Sequence, residues 1–209
     1  RIAAVDGPRD GARVVDARGF TLAPALVDVH GDAFERQLMP RPGVFFPIET
    51  ALLETDRQLA GNGIATAYHA LTLSWEPGLR SVEQGRAVAR ALRALAPRLA
   101  VENRLQLRWE TFCFEALPLI AQVAEGPLAP SLAFNDHTSM ILLDPAVPLQ
   151  ERPFDLGPDY PTVDMGHPDF AEKMEARGRR SGLDREAFAR LIAEIWERRP
   201  EVAGAIAEA

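Results

Sequence analysis

Two residues near the start of the chain, His30 and Asp32, have types and a spacing that suit metal binding. They flank Gly31 and follow the apolar run from Ala25 to Val29. In an extended backbone, residues two apart point to the same side, so the imidazole and the carboxylate can face one cation. Such nitrogen and oxygen donors suit zinc, manganese or iron. The pattern predicts a metal site at the end of a buried strand, although a histidine there is also commonly a hydrogen-bonded structural residue.

A second group of polar residues ends the alternating segment from Arg104 to Glu110. Its leucines and tryptophan fall on one side, and its charged residues and glutamine fall on the other. Glu110, at the end, has the chemistry of a bridging carboxylate or a general acid and base, and Arg108 has that of an anion-binding group. The alternative is an exposed edge strand whose charges are simply solvated.

Two further histidines follow apolar runs. His69 lies near the end of the run from Ile64 to Leu71, where we expect either a core histidine bonded to a neighbour or a group that supports a metal ligand. His137 follows the short apolar run from Ser131 to Phe134, together with Asp136. Polar clusters therefore recur where predicted strands end.

Two arginines lie before and within a proline-rich stretch that follows the first candidate site. Arg36 and Arg41 lie between Glu35 and Pro47, a segment that we predict to be a loop because its prolines oppose regular helix. From such a loop, an arginine can bind an anionic substrate, although exposed arginines are usually solvated surface.

Composition places the chain among ordinary soluble globular proteins. Its 209 residues are 47% hydrophobic and 25% charged, with a net charge of -7 and one cysteine, Cys113. No basic stripe favours nucleic acid, and no apolar run is long enough to span a membrane. The single cysteine fits a reducing cytoplasm. Because the chain starts at Arg1 without a methionine, we expect it to be processed or partial.

The remaining sequence predicts the elements that position these groups. Residues 1–22 read as part of a small β-rich subdomain, with two short strands, Ile2 to Val5 and Arg13 to Ala17, joined by a loop. Residues 23–209 read as the main domain. In the main domain, an apolar strand, a polar strand end, a loop and a helix follow each other about four times. The predicted helices cover Glu49 to Asn62, Ser81 to Leu95, Glu115 to Ala124 and Asp184 to Arg199.

This repetition predicts an α/β fold with a parallel sheet and functional groups at the C-terminal strand ends. A complete eight-unit barrel takes about 250 residues, so the chain supplies roughly half the units. The proline-rich connection from Thr138 to Pro168 is long for a loop, and we expect a lid, a partner-binding excursion or a flexible segment there.

Taken together, these segments resemble the amidohydrolase superfamily. Within it they are similar to the ribose 1-methylphosphonate 5-triphosphate diphosphatases of the carbon–phosphorus lyase pathway, which have His-x-Asp where most members have His-x-His. The resemblance runs from about Ala3 to His137. It rests on five segments in this order: ALVDVHGD, the Pro-Arg-Pro stretch, GNGIATAYHAL, RLQLRWE and FNDHT.

The resemblance implies a metal-dependent hydrolase built on a (β/α) TIM-like barrel, with a small phosphorylated molecule as substrate. Four residues would supply ligands to a divalent metal, zinc or else manganese or iron: His30, Asp32, Glu110 and His137. Glu110 would also be catalytic. Three arginines would neutralise the polyphosphate: Arg36, Arg41 and Arg108. Two further residues would support the metal ligands: His69 and Asp136. We expect no nucleic-acid or membrane partner, and a homo-oligomer is compatible with the chain.

The chain also departs from the family pattern. After Thr138 it reads Ser139-Met140 where the family has Pro-Gly-Gln, and His69 stands where the family has aspartate. A later strand ending in His-Asp-Asp is not found before Ala209, from which we expect an incomplete chain. Two alternatives stay open: an amidohydrolase that cleaves an amide or cyclic amide, and a non-catalytic barrel-like scaffold.

Overall fold

The structure is a computed structural model, and it describes residues 7, 11, 13–138 and 168–209, apart from the side chains of residues 168–171 and 173. Its sheet contains four strands: β1 Leu26–Gly31, β2 Ile64–Leu73, β3 Glu102–Glu110 and β4 Ser131–Asn135. They lie in the order β1-β2-β3-β4, and each neighbouring pair is parallel. This α/β arrangement is compatible with part of a β/α barrel, as the repeated pattern predicts.

Helices connect the strands. Their bounds are α1 Ala33–Leu38, α2 Ile48–Gly61, α3 Val82–Leu95, α4 Leu117–Ala124, α5 Pro168–Ser181, α6 Arg185–Trp196 and α7 Val202–Glu208. Short 3-10 turns cover Ala96–Arg98, Phe114–Ala116 and Arg199–Glu201. None of the described helices combines the length and the apolar character needed to cross a membrane.

The main core lies between one face of the sheet and the helices α1 to α4. Leu73, Leu107 and Trp109 are fully buried there, as every second residue along β2 and β3 faces the helices. Gly85 of α3 packs closely on β2, and a Cβ at this position would lie 2.4 Å from Cδ2 of Leu73. The helices therefore cover one face of the sheet.

A second core joins α5 and α6. Met174, Phe188 and Ile192 are buried together. Aromatic contacts connect this helix pair to the segments that follow β2 and β3: Trp75 contacts Phe188, and Phe112 stacks on Trp196 with ring centroids 5.7 Å apart. The helix pair is thus attached beside the C-terminal strand ends.

Four expectations from the sequence differ from the structure or fall partly outside its described residues. The strand before His30 is not buried as predicted, because Leu26, Val27 and Val29 of β1 are 59%, 55% and 66% exposed. The strand predicted at Arg13 to Ala17 is wrong, because these residues form no strand and Val14 and Val15 are each 74% exposed. A strand needs a bonded partner, and the predicted partner, Ile2 to Val5, lies outside the described residues. The predicted small subdomain thus lacks confirmation.

The segment predicted as a loop from Glu35 to Pro47 begins instead as helix α1. Proline opposes helix only at its own position and the residues just before it, so the first turns up to Leu38 can form before Pro40. Phe34 and Leu38 on this helix are buried in the main core. The connection predicted between Thr138 and Pro168 falls on residues 139–167, which lie outside the described part of the chain.

Candidate functional site

The face of the sheet opposite the helices carries polar side chains. The register pairs Thr72 with Arg108 and Glu110 with Asn135, so these residues share a face with Gln106. The alternation predicted for β3 is confirmed. Glu110 ends β3, and the candidate groups therefore lie along the C-terminal ends of parallel strands.

His30 and Asp32 lie at this edge, at and just after the end of β1. Nδ1 of His30 is 2.5 Å from Oε1 of Gln106, and its Nε2 is 3.9 Å from Oδ2 of Asp32. Both side chains are about half exposed. The approach is close at Gly31, where a Cβ would lie 2.9 Å from Oδ2 of Asp28. The imidazole thus reaches across β2 to β3.

Arg108 connects the first and third strands. Its Nη1 lies 3.8 Å from Oδ1 of Asp32 and 3.4 Å from Oγ1 of Thr72. The arginine side chain is only 14% exposed. A guanidinium held in this way keeps donors free for an anion, since it has five N–H groups in a planar fork. The predicted choice between an anion site and a solvated edge is therefore resolved in part: β3 is an internal strand of the described sheet.

Glu110 and His137 form a second pair. The backbone N–H of His137 donates to Oε2 of Glu110 over 3.0 Å, and Nδ1 of the imidazole is hydrogen-bonded to Oε1. The carboxylate is buried and the imidazole is one third exposed. Because Nδ1 faces the carboxylate, Nε2 is the nitrogen left to exchange a proton.

Buried ion pairs surround these groups. Glu76, in the segment that follows β2, accepts hydrogen bonds of 2.8 Å from Arg177 and Arg180 of α5. Burial lowers the pKa of Arg177, and the charges of Glu76 and Glu110 oppose that shift. Glu76 therefore attaches α5 to the segment that follows β2.

Helix α1 is held in a similar way. Arg80 donates two hydrogen bonds to Glu35, of 2.9 and 3.0 Å. Burial acts against the charge of Arg80, but its bonds to Glu35 prevail and raise its pKa. The pair fixes the start of α1, immediately after Asp32.

His69 lies on the other face of the sheet. Its Nε2 is 2.6 Å from Oδ1 of Asn103, and its ring meets Phe34 edge to face. Burial lowers the pKa of His69, with the bond to Asn103 acting in the opposite direction. The side chain is thus a core histidine bonded to a neighbour, the first of the two expectations for it. The structure does not bring it together with the pairs formed by His30 and Asp32 or by Glu110 and His137.

The other predicted residues lie around the site or beyond it. Arg36 and Arg41 are exposed, and neither side chain makes a hydrogen bond or ion pair with another described residue. Asp136 is half-buried and follows β4 directly, beside His137. The positions of the two arginines leave their predicted contact with a substrate as a prediction.

The four predicted metal ligands form two pairs. Within the described ranges, no three or more His, Cys, Asp or Glu side chains form a group that could hold a metal ion. The expected convergence of His30, Asp32, Glu110 and His137 on one site is thus absent from this part of the chain. The donor types fit zinc, manganese or iron, but a zinc site needs three or four protein ligands. Metal binding therefore stays a prediction.

Sequence reasoning missed several contacts at the site. Gln106 and Thr72 hold His30 and Arg108, and the polar alternation of β3 was the signal that placed Gln106 on this face. Trp75 donates to Oγ1 of Thr138 over 2.9 Å and connects the ends of β2 and β4. No local pattern indicates that contact, because its partners are 63 residues apart.

Comparison with known proteins finds one distant similarity to a curated protein. The chain is 26% identical over 137 residues to the alpha-D-ribose 1-methylphosphonate 5-triphosphate diphosphatase of Escherichia coli strain K12. That alignment includes 59% of this chain, which spans about a third, 34%, of the relative. No family model matches the chain. No solved structure matches it either. The chain is therefore similar, at the level of a distant relative, to a diphosphatase.

Proposed function

We propose that the chain is part of a metal-dependent hydrolase that releases diphosphate from a ribose phosphonate triphosphate. One observation carries the proposal: Arg108 with Asp32, and Glu110 with His137, lie on one polar face at the C-terminal strand ends. In barrels of parallel strands, active sites occupy this end. The similarity to a diphosphatase supports the proposed class of reaction.

Arg108 binds the phosphate groups of the substrate. Its guanidinium is fixed at 3.4 Å from Thr72 and 3.8 Å from Asp32, so little side-chain freedom remains to be lost on binding. Planar N–H donors match phosphate oxygens in two parallel bonds. Arg36 and Arg41 follow Asp32 along the chain, and we assign them to the outer phosphates.

Glu110 and His137 handle protons. Glu110 is buried and accepts two hydrogen bonds from His137, so the imidazole is held in one orientation. Its remaining nitrogen can take a proton from an attacking water or give one to the leaving group. The one-third exposure of the imidazole leaves that nitrogen within reach of water.

The proposed cofactor is a divalent cation, zinc or else manganese or iron, with His30 and Asp32 as one pair of donors. Glu110 and His137 are the other pair of donors, and Nε2 of His137 would then bind the ion instead of exchanging a proton. When bound, such an ion polarises a phosphoryl oxygen and lowers the pKa of a coordinated water. Because the described residues gather these donors only in pairs, the metal needs a measurement separate from turnover.

A second candidate function is a non-catalytic barrel-like scaffold. It is favoured by one observation, the lack of a three-ligand group among the described residues. A scaffold would retain the buried ion pairs Glu35–Arg80 and Glu76–Arg177, which stabilise the fold, without turning over any phosphate ester or anhydride.

Phosphorus NMR tests the proposal directly. Purified protein is incubated with ribose 1-methylphosphonate 5-triphosphate in separate samples, each of which also contains zinc, manganese or iron. We expect diphosphate as the product with at least one metal. Elemental analysis of wild type, His30→Ala and Asp32→Ala measures bound metal independently of turnover. Asp16→Ala, at an exposed aspartate that is paired with Arg18, is the matched control.

Each outcome separates the candidates. Diphosphate release, together with metal lost from His30→Ala and Asp32→Ala but kept by Asp16→Ala, supports the hydrolase. A well-folded protein that holds no metal and leaves the substrate intact favours the scaffold. Cleavage of a cyclic amide in place of the triphosphate would reassign the reaction.

A further inference from the structure

A cavity of about 360 Å³ lies between α3 and α4, beside the first half of β3. Leu92, Leu105 and Leu119 form its floor and are buried. Val123 and Leu128 continue the lining towards solvent, and Leu128 is 39% exposed. The interior is therefore apolar, and its size lies at the lower end of small-molecule pockets, which hold about 300–1,000 Å³.

Three arginines of α3 line the cavity. Arg86, Arg90 and Arg93 are four and then three residues apart, the spacing that aligns side chains on one side of a helix. Among the described residues, no aspartate or glutamate lines the cavity. The cavity thus has a positive side and an apolar floor.

These arginines have few protein partners. Nη1 of Arg86 is 3.3 Å from Oε1 of Gln122, across the cavity on α4. Arg90 and Arg93 are exposed, and neither makes a hydrogen bond or ion pair with another described residue. Donors on this side are therefore available to an anion without first breaking an internal ion pair.

The cavity is separate from the strand-end site. Asn103 and Leu105, which line it, belong to the first half of β3, whereas Glu110 ends that strand. About five residues of extended chain between Leu105 and Glu110 correspond to roughly 17 Å. In addition, Leu105 faces the helices and Glu110 faces the polar side of the sheet. A ligand here would occupy a different place from the proposed substrate.

We propose that this cavity binds a small organic anion with an apolar body, such as a medium-chain carboxylate. The hydrocarbon lies on Leu92, Leu105 and Leu119, where its apolar surface leaves water. The carboxylate binds to the guanidinium groups of Arg90 and Arg93, whose planar forks match its two oxygens. Charge complementarity selects an anion, and the limited volume selects a small molecule.

Isothermal titration of the purified protein with octanoate tests the proposal. We expect saturable binding that weakens at least fivefold in the double variant Arg90→Gln/Arg93→Gln. The matched control is Arg185→Gln, an exposed arginine at the start of α6 that has no described partner. This control should bind octanoate like wild type. Because Arg90, Arg93 and Arg185 are exposed, these variants should fold normally. Circular dichroism checks this.

Two further probes separate charge from apolar contact. Acetate has the carboxylate without the chain, and octan-1-ol has the chain without the charge, so each should bind at least fivefold more weakly than octanoate. Octanoate binding that is absent, or equal in wild type and the double variant, would overturn the proposal. Binding of an acidic peptide that depends on Arg90 and Arg93, without binding of octanoate, would also overturn the proposal. The cavity would then be a protein-docking surface.

Discussion

The backbone N–H of His137 donates to Oε2 of Glu110 over 3.0 Å and joins the C-terminal ends of β4 and β3. The same carboxylate is bonded to the imidazole of His137, so one buried group fixes both the backbone and the side chain. Preorganised hydrogen bonds of this kind place a proton-transfer group before a substrate arrives. The proposed chemistry of the strand-end site depends on this pair.

Replacement of Arg108 by glutamine should weaken substrate binding. The variant loses the guanidinium charge that lies 3.8 Å from Asp32. Charge-assisted hydrogen bonds contribute about 1.5–3 kcal/mol, so KM should rise about tenfold to hundredfold. Steady-state kinetics of diphosphate release measures this. Arg104→Gln is the control, because Arg104 lies earlier on β3 and is paired with Glu102. Equal KM values in the two variants would remove Arg108 from the substrate site.

Replacement of Glu76 by glutamine should destabilise the fold. The buried carboxylate is paired with Arg177 and Arg180 at 2.8 Å each, and its loss leaves two neighbouring cations without their hydrogen-bonded carboxylate. Removing one partner of a buried ion pair costs about 3–5 kcal/mol, and we expect the lower end because both arginines are partly exposed. Urea unfolding gives the free energy.

The control for Glu76 is another glutamate of a described ion pair. Glu175→Gln removes an exposed bond to Arg179 on α5 and should cost less than about 1 kcal/mol. If both variants lose the same free energy of unfolding, the ion pairs of Glu76 with α5 do not contribute more to stability than an exposed pair does.

The free energy of unfolding should decrease as the pH falls through the range where His69 titrates. Burial lowers the pKa of His69 from 6.5, so the unfolded chain binds the proton more readily than the folded chain. The stabilisation is therefore complete above the unfolded pKa and is lost as pH falls through the lowered folded pKa. Urea unfolding at about pH 7.5 and about pH 5.5 measures the difference.

The variant His69→Gln isolates this effect. It should be less stable than wild type at the higher pH, since Asn103 and Phe34 lose a fitted partner, but its stability should change less between the two pH values. All other ionisable groups are the same in the two proteins, so the comparison isolates the contribution of His69. If the free energies of unfolding of wild type and His69→Gln change by the same amount between the two pH values, the protonation of His69 does not contribute to stability.

Local patterns predicted much of the sheet and its helices. The alternation from Arg104 to Glu110 predicts the two faces of β3, and a helix is predicted from Asp184, which is the N-cap of the observed helix α6. Its side chain accepts a hydrogen bond of 2.7 Å from the N–H of Ala187. Such features depend on residues that are close in sequence, so they can be predicted from residue types and spacing.

Long-range pairing could not be predicted in the same way. Glu76 and Arg177 are 101 residues apart, and Glu35 and Arg80 are 45 apart, so no spacing rule joins them. Helix α1 was missed because its six residues are held by such contacts, through Phe34 and the pair with Arg80, more than by helix propensity. At the site, the sequence named His30, Asp32, Glu110 and His137 but not their division into two pairs.

Turnover of the Glu110→Gln variant tests the central claim most directly. The substitution keeps the shape of the side chain but removes the charge that orients His137, so kcat for diphosphate release should fall at least hundredfold, the lower range for general acid–base groups. Glu102→Gln, at the opposite end of the same strand, should retain wild-type turnover. Wild-type turnover in a folded Glu110→Gln protein would contradict a hydrolytic site at these strand ends.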